Sequence, residues 1–242
     1  MCADFAARFD ATPDTPLSFG FKIQWYAIRT ADTAEVAEAF QLDQPQPANW
    51  QTGLTAAFQG YYFISPPLAG WTLAVNAFMP DLGAAGADNP LETIKRLSSR
   101  FGEACYFGSH RVVDYYAWAK AVNGELIRAY SYVGESDEVL VDEGAPTAEE
   151  RDNGLIFAGA DDEYEYVDEY DDNDDDTDSG EDDSGDGADG EEEYDEESYV
   201  YVPGEDDVIS IAGLWTISPF LEDEDYGRGT GIAGLPKRQN NG

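Results

Sequence analysis

Val112-Val113-Asp114-Tyr115-Tyr116-Ala117-Trp118-Ala119-Lys120-Ala121-Val122, then Asn123-Gly124, then Glu125-Leu126-Ile127-Arg128-Ala129-Tyr130-Ser131-Tyr132-Val133, is the stretch from which the fold is read. Two runs rich in aromatic and branched residues flank a dipeptide that tolerates positive φ at both positions, the requirement of a type I′ turn. The pattern predicts strands over 112–122 and 125–133 joined as a hairpin, with another strand over 104–107 just upstream. Tyr115, Tyr116, Trp118, Tyr130 and Tyr132 load both strands with rings. One face of such a hairpin must enter a core, and the other is available as a tyrosine-rich surface for a partner.

Working outward, Phe21, Ile23, Trp25 and Ala27 alternate with Lys22, Gln24, Tyr26 and Ile28, which predicts a strand from Phe19 to Arg29 with one wholly apolar face. Thr33 offers an N-cap for a helix running to Gln41, with Val36, Ala37 and Phe40 at helical spacing. Pro45 and Pro47 end that helix and open a loop. The apolar runs Tyr61–Ser65 and Trp71–Phe78 read as two adjacent strands, and Pro80–Asn89 as a loop. Asn89-Pro90 starts a second helix, with proline at its first position. Leu91, Ile94, Leu97 and Phe101 give that helix an apolar stripe, and Gly102 closes it. Pro146 to Glu150 looks like a short helix start, and Asp206 to Trp215 a short helix or strand.

Antiparallel strands with interposed helices indicate an α+β fold. We expect a mainly antiparallel sheet, two or three packed helices and a disordered acidic insertion. The expected layout is a flexible lead-in over 1–18, an α+β body over 19–160 and an acidic insert over 161–200. A C-terminal element over 201–225 packs back on the body, and 226–242 forms a flexible tail.

The chain has 242 residues, 51 acids, 13 bases and a formal charge of −38. Residues 161–197 hold 23 of those acids and none of the bases, leaving 28 acids against 13 bases elsewhere. Such a segment cannot bury enough apolar surface to offset its chain entropy. Nucleic acids and anionic membranes both need a basic surface, so direct binding to either is not expected. No apolar run approaches the ~18 residues of a membrane span. Met1 to Phe9 lacks the basic start and apolar stretch of a signal peptide, so a cytoplasmic protein is expected. Cys2 and Cys105 read as reduced thiols, without a structural disulfide or metal role.

Gly108-Ser109-His110-Arg111 is a polar break inside an aromatic region and the best place to expect a functional surface. His110 and Arg111 should lie at a strand end, with Asp114 as the partner of Arg111. A nucleophile–base pair of Cys105 and His110 is disfavoured, because five residues apart on a strand they point to opposite faces. We therefore expect partner-binding residues at His110, Arg111, Asp114, Tyr116, Trp118, Tyr130 and Tyr132, with no catalytic, metal or cofactor site. Asp182, Ser184, Asp186, Gly187 and Glu193 follow the oxygen spacing of an EF-hand loop. An Asp189 at the usual apolar position and the lack of flanking amphipathic helices argue against one. Gly227 to Gly231 lacks the preceding strand and following helix of a phosphate-binding motif.

From Phe101-Gly102-Glu103 through Tyr106-Phe107-Gly108-Ser109-His110-Arg111-Val112-Val113-Asp114-Tyr115-Tyr116-Ala117-Trp118-Ala119, the chain resembles a group of uncharacterised bacterial α+β proteins. Asn49-Trp50 to Gly53 and Gly134-Glu135-Ser136 belong to the same pattern, which spans residues 20–160 and 205–221. These proteins resemble the immunity partners of interbacterial toxins. The resemblance implies a binding protein, carries over no catalytic residue and leaves out the acidic insert. The expected partner is a basic protein, in particular a cognate toxin neutralised by occlusion. The alternative is an acidic DNA mimic that sequesters a basic nucleic-acid-binding protein, with the insert as its main contact.

Overall fold

Asn123 and Gly124 both take left-handed backbone, with φ of 51° and 90°, so the hairpin expected there closes on the predicted turn. The computed structural model describes residues 8–86, 89–155 and 203–237. The acidic insert, its EF-hand-like spacing and Cys2 lie outside the described residues.

In chain order the first half contains β1 (Ile23–Ile28), α1 (Thr33–Ala39), β2 (Asp43–Ala48), α2 (Trp50–Ala57), β3 (Tyr62–Ile64) and β4 (Thr72–Asn76). The second half contains α3 (Pro90–Phe101), β5 (Glu103–His110), β6 (Tyr115–Val122), β7 (Glu125–Val133) and β8 (Glu138–Glu143). It closes with α4 (Ala148–Asp152), α5 (Glu205–Trp215) and β9 (Gly231–Leu235). The nine strands form one sheet in the order β2-β9-β3-β4-β1-β5-β6-β7-β8. Every neighbouring pair is antiparallel. The fold is α+β and mostly sheet. Among the described residues no helix is long and apolar enough to cross a membrane.

All six residues of β1 are buried, so both faces of the sheet are covered there rather than one. Tyr26 and Ile28 join a core with Val36 of α1 and Leu91, Ile94 and Leu97 of α3. On the opposite face, directly paired residues form a row: Phe63, Val75, Trp25, Phe107, Trp118 and Tyr130. Trp25 stacks on Phe107 with centroids 5.3 Å apart. Trp50 of α2 meets Phe63 edge-on at 5.3 Å, and Trp215 of α5 meets Phe107 at 6.1 Å. Burying such a side chain contributes about 1.5–3 kcal/mol, so this row is a main source of stability.

Several segments differ from expectation. Pro45 and Pro47 lie in edge strand β2, not a loop. An edge strand tolerates proline because half its N–H groups need no partner. Residues 226–237, read as part of a mobile tail, return the chain to the sheet, where β9 sits between β2 and β3. Its residues are too small to look like a strand, and small size is what the position requires. A Cβ on Gly231 would stand 2.2 Å from the Ile64 carbonyl oxygen. The described part of the lead-in is also tied down. The Asp14 carboxylate accepts from the N–H groups of Trp50 and Gln51 at 2.7 and 3.0 Å, at the start of α2. That helix, whose Asn49 side chain accepts from Thr52 N–H, has no expected counterpart.

Gly231→Ala should therefore destabilise the chain by about 1–3 kcal/mol through overpacking. Leu235→Ala, on the same strand but exposed, should change stability by about 0.5 kcal/mol or less. Urea unfolding followed by tryptophan fluorescence distinguishes the two. Equal effects would contradict the placement of β9.

Candidate functional site

The polar break 108–111 ends β5 and leads into the turn before β6. Ser109 pairs with Ile23 and Tyr116 across the sheet. Its hydroxyl donates to Glu205 Oε1 at 2.6 Å. The other oxygen of Glu205 faces Arg111 Nε at 3.4 Å. The Arg111 guanidinium also lies 5.5 Å from the centre of the Phe21 ring. Glu205 stands in the first turn of α5, where a carboxylate complements the positive end of the helix. This half-exposed ion pair adds at most about 1 kcal/mol. Its main effect is to hold the arginine against Phe21.

Arg111 therefore pairs with Glu205, not with Asp114 as expected. Asp114 takes left-handed backbone with φ of 49° and accepts the Tyr116 hydroxyl at 3.2 Å. Its carbonyl accepts the Gly134 N–H at 3.0 Å, which holds the two turns at this end of the sheet together. The Tyr132 hydroxyl donates to Asp137 at 2.8 Å. Val112 at the tip is 71 % exposed and Phe21 39 %. The result is a small apolar and cationic patch, Phe21, Arg111 and Val112, beside the carboxylates of Asp114 and Glu205.

His110 lies on the other sheet face, opposite Tyr115. Its Nδ1 is buried and has no hydrogen-bond partner among the described residues. Cys105 is fully buried. Burial pushes its thiol well up, against the opposing pull of Lys120, so it is held protonated. On opposite faces, the two residues do not form a nucleophile–base pair.

Trp118 and Tyr130 also need correction as partner-binding residues. They are 0 % and 2 % exposed, with their rings 5.1 Å apart beneath α4. Trp118 Nε1 donates to Glu150 Oε1 at 2.8 Å, and Arg128 Nε donates to the same oxygen at 2.9 Å. Glu150 Oε2 accepts the Thr147 N–H at 2.7 Å, completing a capping box at the start of α4. Arg128 also reaches Asp142 and the Gly144 carbonyl. One buried carboxylate thus joins β6, β7 and α4, and the tryptophan belongs to that joint. The missed partners, Glu150 and Glu205, lie 32 and 96 residues from the side chains they bind. Only the helix-start signal at Thr147 to Glu150 hinted at either.

The chain matches no protein-family model, no curated protein and no solved structure. Function is therefore read from the residues alone. Among the described residues no three His, Cys, Asp or Glu side chains gather as metal ligands. The arrangement at 109–114 suits recognition, because it offers an oriented arginine and exposed apolar groups beside carboxylates.

Two outcomes follow. Glu150→Ala removes one of the two carboxylates that pair with buried Arg128, together with the acceptor it shares with Trp118, and should cost about 3–5 kcal/mol in urea unfolding; a change below about 1 kcal/mol would contradict the joint. The second concerns alkaline pH. Burial, reinforced by the bond to Asp114, pushes the Tyr116 phenol up to about 12. Desolvation also raises Tyr26, Tyr106 and Tyr115. The folded state therefore holds these protons more tightly than the unfolded chain does. The associated stability is fully present below pH about 10, the unfolded value, and falls as pH rises towards 12. Urea midpoints at pH 8, 9 and 11 should agree at the first two and drop at the third.

Proposed function

We propose that this chain is a binding protein that captures a basic protein partner and covers its working surface, as an immunity protein does with its toxin. The observation that carries this reading is the Phe21–Arg111–Val112 patch, held in place by Glu205 through Ser109 and Arg111. Exposed aromatic and arginine side chains are the residues that anchor protein interfaces. The surrounding charge supports the same reading. A formal −38 attracts cationic surfaces over a long range, accelerates their encounter and makes the rate sensitive to salt. The resemblance of 101–119 to immunity proteins points to the same class of partner. Within this proposal the site of action is the cytoplasm.

Roles divide between the parts of the surface. The carboxylates steer a cationic partner, while Phe21, Arg111 and Val112 hold it. Tyr116 and Tyr132 contribute little contact area, because both are largely buried with their hydroxyls bonded to Asp114 and Asp137. They fix the turns that carry the patch.

The full chain and a Phe21→Ala/Val112→Asp variant, immobilised in parallel, should capture different proteins from the organism that encodes the chain. The expected partner is basic, binds the unchanged chain and is lost with the variant, whose urea midpoint is retained. Truncating interface anchors of this kind costs about 2 kcal/mol or more. Expression of the unchanged chain should restore growth to cells that produce the captured protein. Identical capture by both proteins, or no restoration of growth, would overturn the proposal.

A further inference from the structure

On the α1 and α3 face of the sheet lies a cavity of about 520 Å³. It opens between the end of α1, the middle of α3, the ends of β3 and β4, and the residues that follow β9. Its volume is in the range of pockets that enclose small ligands, about 300–1,000 Å³. The chain has 51 acids and only 13 bases, yet the lining includes Arg96 and Lys237 and no Asp or Glu. Among the described residues, neither cation forms an ion pair. Neighbouring Arg100 does, with Glu38 at 3.0 Å, so carboxylates are near and still do not enter the cavity.

Arg96 is also positioned. Its Nη1 donates to the Ala39 carbonyl at 2.9 Å, at the end of α1. That bond fixes one corner of the guanidinium and leaves a planar fork of further donors, a shape suited to carboxylate and phosphate oxygens. Four aromatic residues, Tyr26, Phe40, Tyr62 and Phe78, share the rest of the wall with small and uncharged polar residues. Phe40 packs against Tyr62 at 5.0 Å and Tyr26 at 5.5 Å. Phe78, 70 % exposed, stands at the rim. The Tyr26 phenol also lines the cavity, and burial raises it further above its ordinary range.

We infer that this cavity binds a small ligand that joins a flat ring to an anionic group, with the ring against Phe40 and Tyr62 and the anion on Arg96 and Lys237. Phosphate and carboxylate share that chemistry. The overall negative field opposes the approach of free anions, so retention depends on these local contacts. A ring without the charge, or a charge without the ring, makes only half of them. This site is independent of the Phe21–Arg111–Val112 patch and of any protein partner.

Isothermal titration of the full chain tests the inference with four probes: adenosine 5′-monophosphate, indole-3-acetate, adenosine and inorganic phosphate. At least one of the first two should bind saturably with a Kd below about 1 mM. Which of them binds more tightly shows which pairing of ring and anion the cavity takes. Adenosine and inorganic phosphate should each bind about tenfold more weakly or worse, the size of one lost charge-assisted contact. Arg96→Gln and Lys237→Gln should each weaken the best probe by about tenfold with the urea midpoint unchanged. Absence of saturable binding by both ring-bearing anions, or binding undiminished when the two substitutions are combined, would overturn the inference.

Discussion

Both faces of the central strands are apolar, and most of the architecture follows from that constraint. An antiparallel sheet commonly leaves one face to water. Here β1 buries all six residues, with Trp25 on one side and Tyr26 on the other. Helices must therefore cover both faces, and the chain draws them from distant segments. α1 and α3 lie close in sequence to the strands they cover, whereas α5 is separated from β8 by the acidic insert. The row from Phe63 to Tyr130 stays dry because α2, α4 and α5 all pack on that side.

Polar groups beneath those helices must be satisfied, and this need shapes the site. Arg128 falls on the inward face of β7 and is fully buried. A buried guanidinium requires carboxylates and carbonyls, which it receives from Glu150, Asp142 and Gly144. Glu150 also starts α4 and anchors Trp118. Farther along the same face the problem recurs in milder form. Ser109 and Arg111 share Glu205, which secures the start of α5 and leaves the arginine partly in water. The same kind of contact thus closes the core at one place and displays a side chain at the other.

The local elements were legible where one residue type dominates the outcome. Asn123-Gly124 set the hairpin through its φ requirement, and Asn89-Pro90 set the start of α3 through its cap and missing N–H. Strand β9 was not legible. Gly231 and Gly234 suit this strand because Ile64 and Leu42 crowd them, and that crowding is tertiary. Edge strand β2 was hidden for a related reason, since proline reads as a break until the strand's position at the sheet margin is known.

The candidate surface divides in the same way. The amino-acid sequence alone placed a polar break at 108–111, loaded the hairpin with aromatic rings and set the charge balance, because each is a property of neighbouring residues. Which rings face inward depended on helices that are remote in the chain, and so did the partner of Arg111. Trp118 and Tyr130 became core because Glu150 and α4 cover them; Phe21 and Val112 stayed at the surface. Side-chain alternation defines two faces of a strand, but only the packed helices decide what each face meets.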